Sequence, residues 1–323
     1  MHHHFHIHSL IQTVLGGTLL TREQGEFLAG LDSTHTMELL WGAHAITRAM
    51  GHASFTCSIV NAKSGLCSQD CAFCAQSRHH ATQVKCYPLL PEEDLIAHGL
   101  AMHAAGAACF SLVTSGLGPS EAEIEQICRV VRTLREKTDL SLSASLGLLQ
   151  PSQAAQLRAA GLQRYHHNLE TARSFFSHIC TTHGYEQDME TVRVARQAGL
   201  SVCCGGILGL GESFAQRMEL ALTLRELAVD TVPLNFLRPI AGTRLADTPP
   251  LSVHDALKSV ALFRYMLPQA RITIAGGREF VLGDYQSWLP LAGANGLMIG
   301  SYLTTQGRNL EQDARMREQG QWI

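Results

Sequence analysis

Charge is scarce in this chain of 323 residues: 16% are Asp, Glu, Lys or Arg, and the formal net charge is −3. That balance gives no basic footprint for nucleic acid or for an anionic membrane surface. No apolar run reaches the length of a spanning helix, and the N-terminus has neither a basic segment leading into an apolar one nor a cleavage motif. A cytoplasmic protein is the expectation. Linkers, low-complexity segments and breaks of composition are also absent, so one folded body is expected over residues 46–310, preceded by a tail and helical lead-in over 1–45 and followed by a C-terminal tail over 311–323. Five histidines among the first eight residues (His2, His3, His4, His6 and His8) stand where nothing is patterned to fold, and read as a disordered or appended terminus rather than a metal site.

What the chain does have is cysteine, ten residues in all, together with 28 glycines and 46% hydrophobic residues. Gathered partly in one loop of a long chain, the cysteines argue for cluster or metal chemistry over a secreted disulfide framework. The loop lies in CSIVNAKSGLCSQDCAFCAQSRHH, residues 57–80, where Cys67, Cys71 and Cys74 stand at C-x3-C-x2-C spacing. A structural zinc site needs four closed ligands, and the second cysteine pair is missing unless His79 or His80 supplies the fourth. Three thiolates on a cubane instead leave one iron open to the amino and carboxylate groups of a small molecule. The spacing, with Phe73 just before the last cysteine, resembles that of radical S-adenosylmethionine (radical SAM) enzymes.

Between about Leu10 and Met50, apolar residues such as Phe27, Leu31, Met37, Leu40, Trp41 and Ala45 recur at helical spacing and predict a helical lead-in that plugs one end of the core. Short β-branched runs then alternate with amphipathic stretches. Strands are predicted over 55–62, 108–114, 140–146, 164–168, 201–207, 231–236, 271–274 and 296–299, with helices near 92–105, 121–136 and 152–160 between the first four. Eight such units in roughly 250 residues predict an α/β fold, a (β/α)8 TIM-type barrel with an N-terminal helical extension. Chemistry then belongs at the C-terminal ends of the strands. The cysteine loop falls there, and so do Val113–Gly116, His166–Thr171, Cys203–Gly206 and Asn235. Singly, each could be a turn or a satisfied barrel residue; together on one rim they predict a site.

Five segments carry a closer resemblance: NAKSGLCSQDCAFCAQS, RYHHNLET, CCGGILGLGE (Cys203–Glu212), VPLNFLRPIAGT (Val232–Thr243) and AGGRE (Ala275–Glu279). In order and separation they resemble the biotin synthase family, from about residue 40 to residue 310. The resemblance implies that a [4Fe-4S] cluster on Cys67, Cys71 and Cys74 reduces SAM to methionine and a 5′-deoxyadenosyl radical. This radical takes hydrogen from dethiobiotin, and an auxiliary iron-sulfur cluster gives up the sulfur that closes the thiophane ring. It also implies a flavodoxin- or ferredoxin-type electron donor and a homodimer. Position by position, Asn168 and Glu170 match residues facing the dethiobiotin ureido ring and the SAM ribose, and Asn235 a second ureido contact. Phe73 matches an aromatic packed near the adenine. Thr114, Ser115 and Gly116 match a turn whose backbone meets the methionine amino group, while His183 replaces an arginine near the SAM carboxylate. Two alternatives use the same triad: a related barrel enzyme of the hydrogenase-maturase or methylornithine-synthase type, and a non-catalytic iron-sulfur scaffold.

At the auxiliary site this chain departs from the commonest family pattern, which binds a [2Fe-2S] cluster through three cysteines and an arginine. Ser111, Ser143 and Thr273 occupy three of those positions, and only Cys203 remains. Hydroxyls are poor substitutes for such ligands. Cys57 and Cys180 stand where that pattern has no cysteine, and with Cys203 they make a set of three expected to hold an auxiliary cluster of 4Fe type. This is similar to a branch of the family associated with anaerobes, which uses a larger cluster with an extra sulfide. Cys109, two residues before Ser111 and so on the same strand face, is a further candidate. The alternative is that Cys57 and Cys180 are ordinary buried thiols. Cys204 is expected to face away from Cys203, with Cys86 a loop thiol and Cys128 a helix-packing one.

Overall fold

The computed structural model describes residues 5–51, 53–320 and 322; the expectation for His2, His3 and His4 lies outside them. Among the described residues, nine parallel strand segments form one sheet: β1 (Phe55–Lys63), β2 (Cys109–Thr114), β3 (Ser141–Ser145), β4 (Arg164–His166), β5 (Ser201–Cys203), β6 (Gly206–Leu208), β7 (Thr231–Phe236), β8 (Arg271–Ile274) and β9 (Gly296–Met298). Neighbours run β5-β4-β3-β2-β1-β9-β8-β7-β6, and Cys203 of β5 also pairs with Thr231 of β7, which closes the cylinder. Since β5 and β6 share one place in the ring, the barrel is eightfold, as predicted. The single predicted strand over 201–207 is, however, broken at Cys204–Gly205. The cause is a close approach: a Cβ on Gly205 would stand 2.0 Å from the Pro233 carbonyl oxygen, so only glycine fits there.

Along β1, burial alternates residue by residue. Phe55, Cys57 and Ile59 face the barrel interior, while Thr56, Ser58, Val60 and Ala62 are buried against the helical layer. Register carries this facing round the barrel, setting Cys57 level with Cys109, Ser111 with Ser143, and His166 with Cys203. The connecting helices include Glu92–Ala104, Glu121–Lys137 and Pro151–Ala159, close to their predicted bounds. Ser120 with Glu123 and Ser213 with Gln216 close capping boxes on two of the barrel helices, worth about 1 kcal/mol each.

The N-terminal helices Ile7–Leu15, Arg22–Gly30 and Thr36–Met50 do not plug an end of the core. They pack on the flank, against Phe214–Glu226 and Val253–Met266. Gly42 permits the contact, because a Cβ there would lie 1.9 Å from the Tyr265 hydroxyl. The disordered reading of the first eight residues also ends too late. The first helix buries Ile7, Leu10, Ile11 and Val14, so His8 lies within it and His6 is its N-cap. Over 311–320 the expected C-terminal tail is likewise no loose segment, positions 321 and 323 lying outside the described residues: helix Leu310–Gln319 docks through Asp313, whose Oδ2 accepts a 2.7 Å hydrogen bond from Arg278 Nη2, both residues being 0% exposed. No described helix is long and apolar enough to cross a membrane.

Candidate active site

The cysteine loop leaves the C-terminal end of β1. Cys67 N–H donates to Gln76 O, Arg78 N–H to Cys67 O and Cys74 N–H to Cys71 O, each at 2.9 Å. Leu66, at φ +52°, turns the chain through the left-handed region. The result is that Cys67, Cys71 and Cys74 all line one cavity of about 230 Å³. His79 Nε2 lies 3.0 Å from Ser68 O and His80 Nδ1 lies 2.9 Å from Cys74 O. Both rings brace the loop backbone, and neither joins the thiols in the cavity wall as a fourth ligand would. Among the described residues no three His, Cys, Asp or Glu side chains close around one point as ligands of a single ion do. Three thiols on one cavity wall would suit a larger, sulfide-bridged guest, with Cys67, Cys71 and Cys74 as its holders.

Phe73, Thr114, Ser115, Gly116, Asn168, Glu170 and His183 line the same cavity, so the structure brings the predicted SAM-side residues together. Ser115 fixes the turn after β2, its N–H donating to Lys63 O at 2.9 Å and its hydroxyl to Gly65 O at 2.8 Å. Asn168 Oδ1 accepts from Gly205 N–H at 3.1 Å and lies 3.0 Å from His166 Nε2, while its Nδ2 donates to Glu170 Oε2 at 3.3 Å. Burial, with the charge of Asp188 adding to it, pushes the Glu170 carboxyl up to about 8. Burial works against charge on His183 but is outweighed by Asp188, 3.3 Å from its Nε2, and by Cys180, so the imidazole is pushed up to about 10. His167 Nε2 lies 2.8 Å from the other Asp188 oxygen. Burial holds His166 down to about 4 and therefore neutral.

Asn235 does not share this cavity with Asn168. It lines a second one of about 170 Å³, and the two cavities have Phe73, Cys74, Gln76 and Leu303 as a common wall. Its amide is also partly committed to the barrel, with Nδ2 donating to Gly206 O at 3.3 Å and Oδ1 accepting from Gly276 N–H at 2.9 Å.

Deeper in the barrel is a small enclosed chamber lined by Cys57, Cys109 and Cys203. Cys180 is not there, which corrects the expected set of Cys57, Cys180 and Cys203. Cys180 Sγ lies 3.1 Å from His183 Nδ1 and 3.3 Å from Asp70 Oδ1, beside Cys71 of the cluster loop. Asp70 accounts for the difference, accepting from Thr181 N–H at 2.8 Å and Thr182 N–H at 3.3 Å and so drawing residues 180–182 onto that loop. Cys109 completes the inner set. Its hydrogen bond with Cys57 and the nearby Arg164 hold its thiol below the ordinary value against burial, while that same bond and burial push Cys57 up; burial pushes Cys203 up to about 12.

The chamber fits an anionic guest. Arg164 is 9% exposed, and its Nη1 lies 3.7 Å from Cys109 Sγ. Arg164 Nε, Ser111 Oγ, Thr231 Oγ1 and Thr273 Oγ1 are buried without partners among the described residues. A guanidinium Nε and three hydroxyls left unsatisfied around three thiols would be costly in an empty core. Cys204, fully buried, faces away into the core, Cys128 is buried on its helix and Cys86 is exposed. Sequence reasoning gave no individual role to Arg164, His166, Asp70 or Asp188, placing His166 only within the rim run His166–Thr171. The alternation Arg164, His166, Asn168 on one strand face was the available signal for the first two. His166 lines both the outer cavity and the inner chamber.

A closed parallel barrel whose first strand runs into a loop of three convergent cysteines has the architecture of a radical SAM enzyme. The Radical SAM superfamily model matches residues 63–224, and the Biotin and Thiamin Synthesis associated domain matches residues 233–321. A biotin synthase of Geobacter metallireducens is 51% identical over 96% of this chain and 95% of its own length. Another from Oleidesulfovibrio alaskensis is 52% identical over 92% of this chain and 91% of its own. Among solved structures, methylornithine synthase superposes with a TM-score of 0.83 at 19% identity, covering 96% of both chains. HydG, a maturase of the [FeFe]-hydrogenase, superposes at 0.84 and 16% identity, covering 98% of this chain and 74% of that one. These two likenesses concern the fold alone. The chain belongs to the biotin synthase family.

Proposed function

We propose that this chain converts dethiobiotin to biotin by radical SAM sulfur insertion. The observation that carries the reading, beyond family membership, is the pair of thiol sets in one barrel: three on the rim loop, three in a separate chamber, with His166 lining the space on both sides. When bound, a [4Fe-4S] cluster on Cys67, Cys71 and Cys74 supplies the electron that splits SAM, and an auxiliary cluster supplies the sulfur.

The chain's own residues bind, orient and exclude. Backbone groups of Thr114, Ser115 and Gly116 hold the methionine amino end of SAM, and His183, braced by Asp188, faces its carboxylate. Glu170, protonated at neutral pH, takes the ribose hydroxyls, and Phe73 packs by the adenine between the two cavities. Gly205 N–H can only donate, so it fixes Asn168 with its oxygen toward β5–β6 and its NH2 toward Glu170 and the cavity. That NH2 suits the carbonyl oxygen of a cyclic urea, and Asn235 meets the ring from the adjoining cavity. The barrel walls keep water and stray hydrogen donors from a carbon radical. For the auxiliary cluster Cys57, Cys109 and Cys203 would be the ligands, a reading supported by their common chamber and by the buried Arg164 guanidinium 3.7 Å from Cys109 Sγ; three thiolates would suit a cluster of 4Fe type. An electron carrier of flavodoxin or ferredoxin type docks at the loop's outer face, where Leu66 is 75% exposed.

The test is anaerobic turnover of the reconstituted protein with SAM, reductant and dethiobiotin. Biotin should form only with all three, and Cys67→Ala, Cys71→Ala or Cys74→Ala should each abolish 5′-deoxyadenosine. Continued SAM cleavage in any of these variants would sink the assignment.

A further inference from the structure

Phe55 opens β1 at the barrel's N-terminal end, opposite the rim that carries the cysteine loop, and lines the inner chamber. Two guanidiniums cover its ring, Arg271 with Cζ 4.3 Å from the centroid and Arg164 at 5.2 Å. Each begins its own strand at that same end. Arg271 is half-buried, whereas Arg164 is buried. The Nε of each is buried without a partner among the described residues. Positive charge therefore runs in a line from the barrel floor, past a half-buried aromatic ring, to a nitrogen 3.7 Å from Cys109 Sγ. Buried cations along such a line, each with an Nε that has no partner among the described residues, lower the free energy of an anion moving inward.

The proposed reaction sets a demand that this line meets. Each turnover moves one sulfur from the chamber into product, so the chamber has to regain one. On the rim side, the cavity is occupied by SAM and substrate while the enzyme works. We propose that the barrel's N-terminal end is a sulfur entrance: hydrosulfide, a small anion, passes the Phe55 ring under the pull of Arg271 and Arg164 and reaches the three-thiol chamber. No redox change accompanies the passage, and in exchange one hydrosulfide enters as another leaves. The inference rests on the reading of the chamber as the auxiliary sulfur site.

Two measurements on the anaerobically reconstituted holoprotein separate the two ideas. Iron analysis tests the chamber, for which about eight irons are expected. Label exchange tests the entrance: with SAM and dethiobiotin bound and no reductant, isotopically labelled hydrosulfide is added and the acid-labile sulfide is followed by mass spectrometry, Cys109→Ala giving the background from the rim cluster. Exchange should proceed with the rim side filled. Arg271→Gln should slow it by about tenfold, Arg271→Lys should keep the parent rate, and Phe55→Trp should slow it by narrowing the passage. About eight irons with exchange indifferent to Arg271→Gln and Phe55→Trp, or stopped by SAM and dethiobiotin, overturns the entrance alone. About four irons overturns the chamber reading and the entrance with it.

Discussion

Asn168 gives the sharpest separation of binding from folding in this site. Its oxygen serves two protein donors, Gly205 N–H at 3.1 Å and the ring nitrogen of His166 at 3.0 Å, while its NH2 is turned to Glu170 and the cavity. Asn168→Ala leaves both donors unsatisfied, at about 1–3 kcal/mol each, and removes the proposed ureido contact as well. Asn168→Asp keeps an oxygen in the same place for both donors. Its second oxygen meets a Glu170 carboxyl that is protonated below about 8 and can donate to it. The Asp variant should therefore melt close to the parent near neutral pH, and the Ala variant well below it. For dethiobiotin the two changes agree, since each removes the only donor that Asn168 offers the ligand. Loss of that contact at about 1–3 kcal/mol weakens binding by roughly one to two powers of ten, with about 1.4 kcal/mol to each. Anaerobic calorimetry of dethiobiotin binding in the presence of SAM, beside differential scanning fluorimetry of the same samples, reads both quantities. An Asp variant that binds as tightly as the parent would falsify the role of Asn168 as the ureido donor.

The ligand sets differ in what Cys109 and Cys180 do. Cys109→Ala should remove about half of the roughly eight irons and stop biotin formation while SAM cleavage continues, and Cys180→Ala should keep the full iron content; the reverse pattern would restore Cys180 to the auxiliary site. Glu170 titrates at about 8 in the folded protein against 4.5 when free. A raised folded value gives stability that is full below about 4.5 and lost as pH rises through about 8, so cluster-free parent should lose more melting temperature between about pH 5 and pH 8.5 than Glu170→Gln. Equal losses would show that the carboxyl is not buried in its neutral form. Asp313→Ala leaves Arg278 buried beside a lost partner, at about 3–5 kcal/mol, and limited proteolysis should then cut at the last helix. Unchanged melting would mean that the helix Leu310–Gln319 is held by other contacts.

Much of the barrel was legible because alternation of short apolar runs with amphipathic stretches has few other solutions, and the cysteine loop because three thiols at that spacing have few other uses. What escaped was set by contacts distant in sequence. The break at Gly205 depends on how closely the chain passes Pro233, 28 residues on. Cys180 was misplaced because a loop cysteine carries no facing signal, and it is Asp70, 110 residues earlier, that decides its position. Cys109 could be placed, since strand parity gives it the same face as Ser111. Arg164 reads in sequence as a charge at the edge of a strand, and only the closed barrel shows that this edge is interior. The lead-in helices followed their periodicity correctly, but periodicity says which face is buried and not against what.

The interruption between β5 and β6 has a consequence for reach. Cys203 on one side of it belongs to the inner chamber, and Gly205, two residues on, anchors Asn168 in the outer cavity. β7 holds both flanks, through Cys203 with Thr231 and Gly206 with Leu234. Two peptide units thus act as a ruler between the chamber of thiols and the proposed ligand pocket. Side-chain substitutions can retune either mark, but the length between the marks is written in backbone. A substrate that presented its reacting carbons one bond farther from the ring would call for an insertion here rather than a new pocket residue.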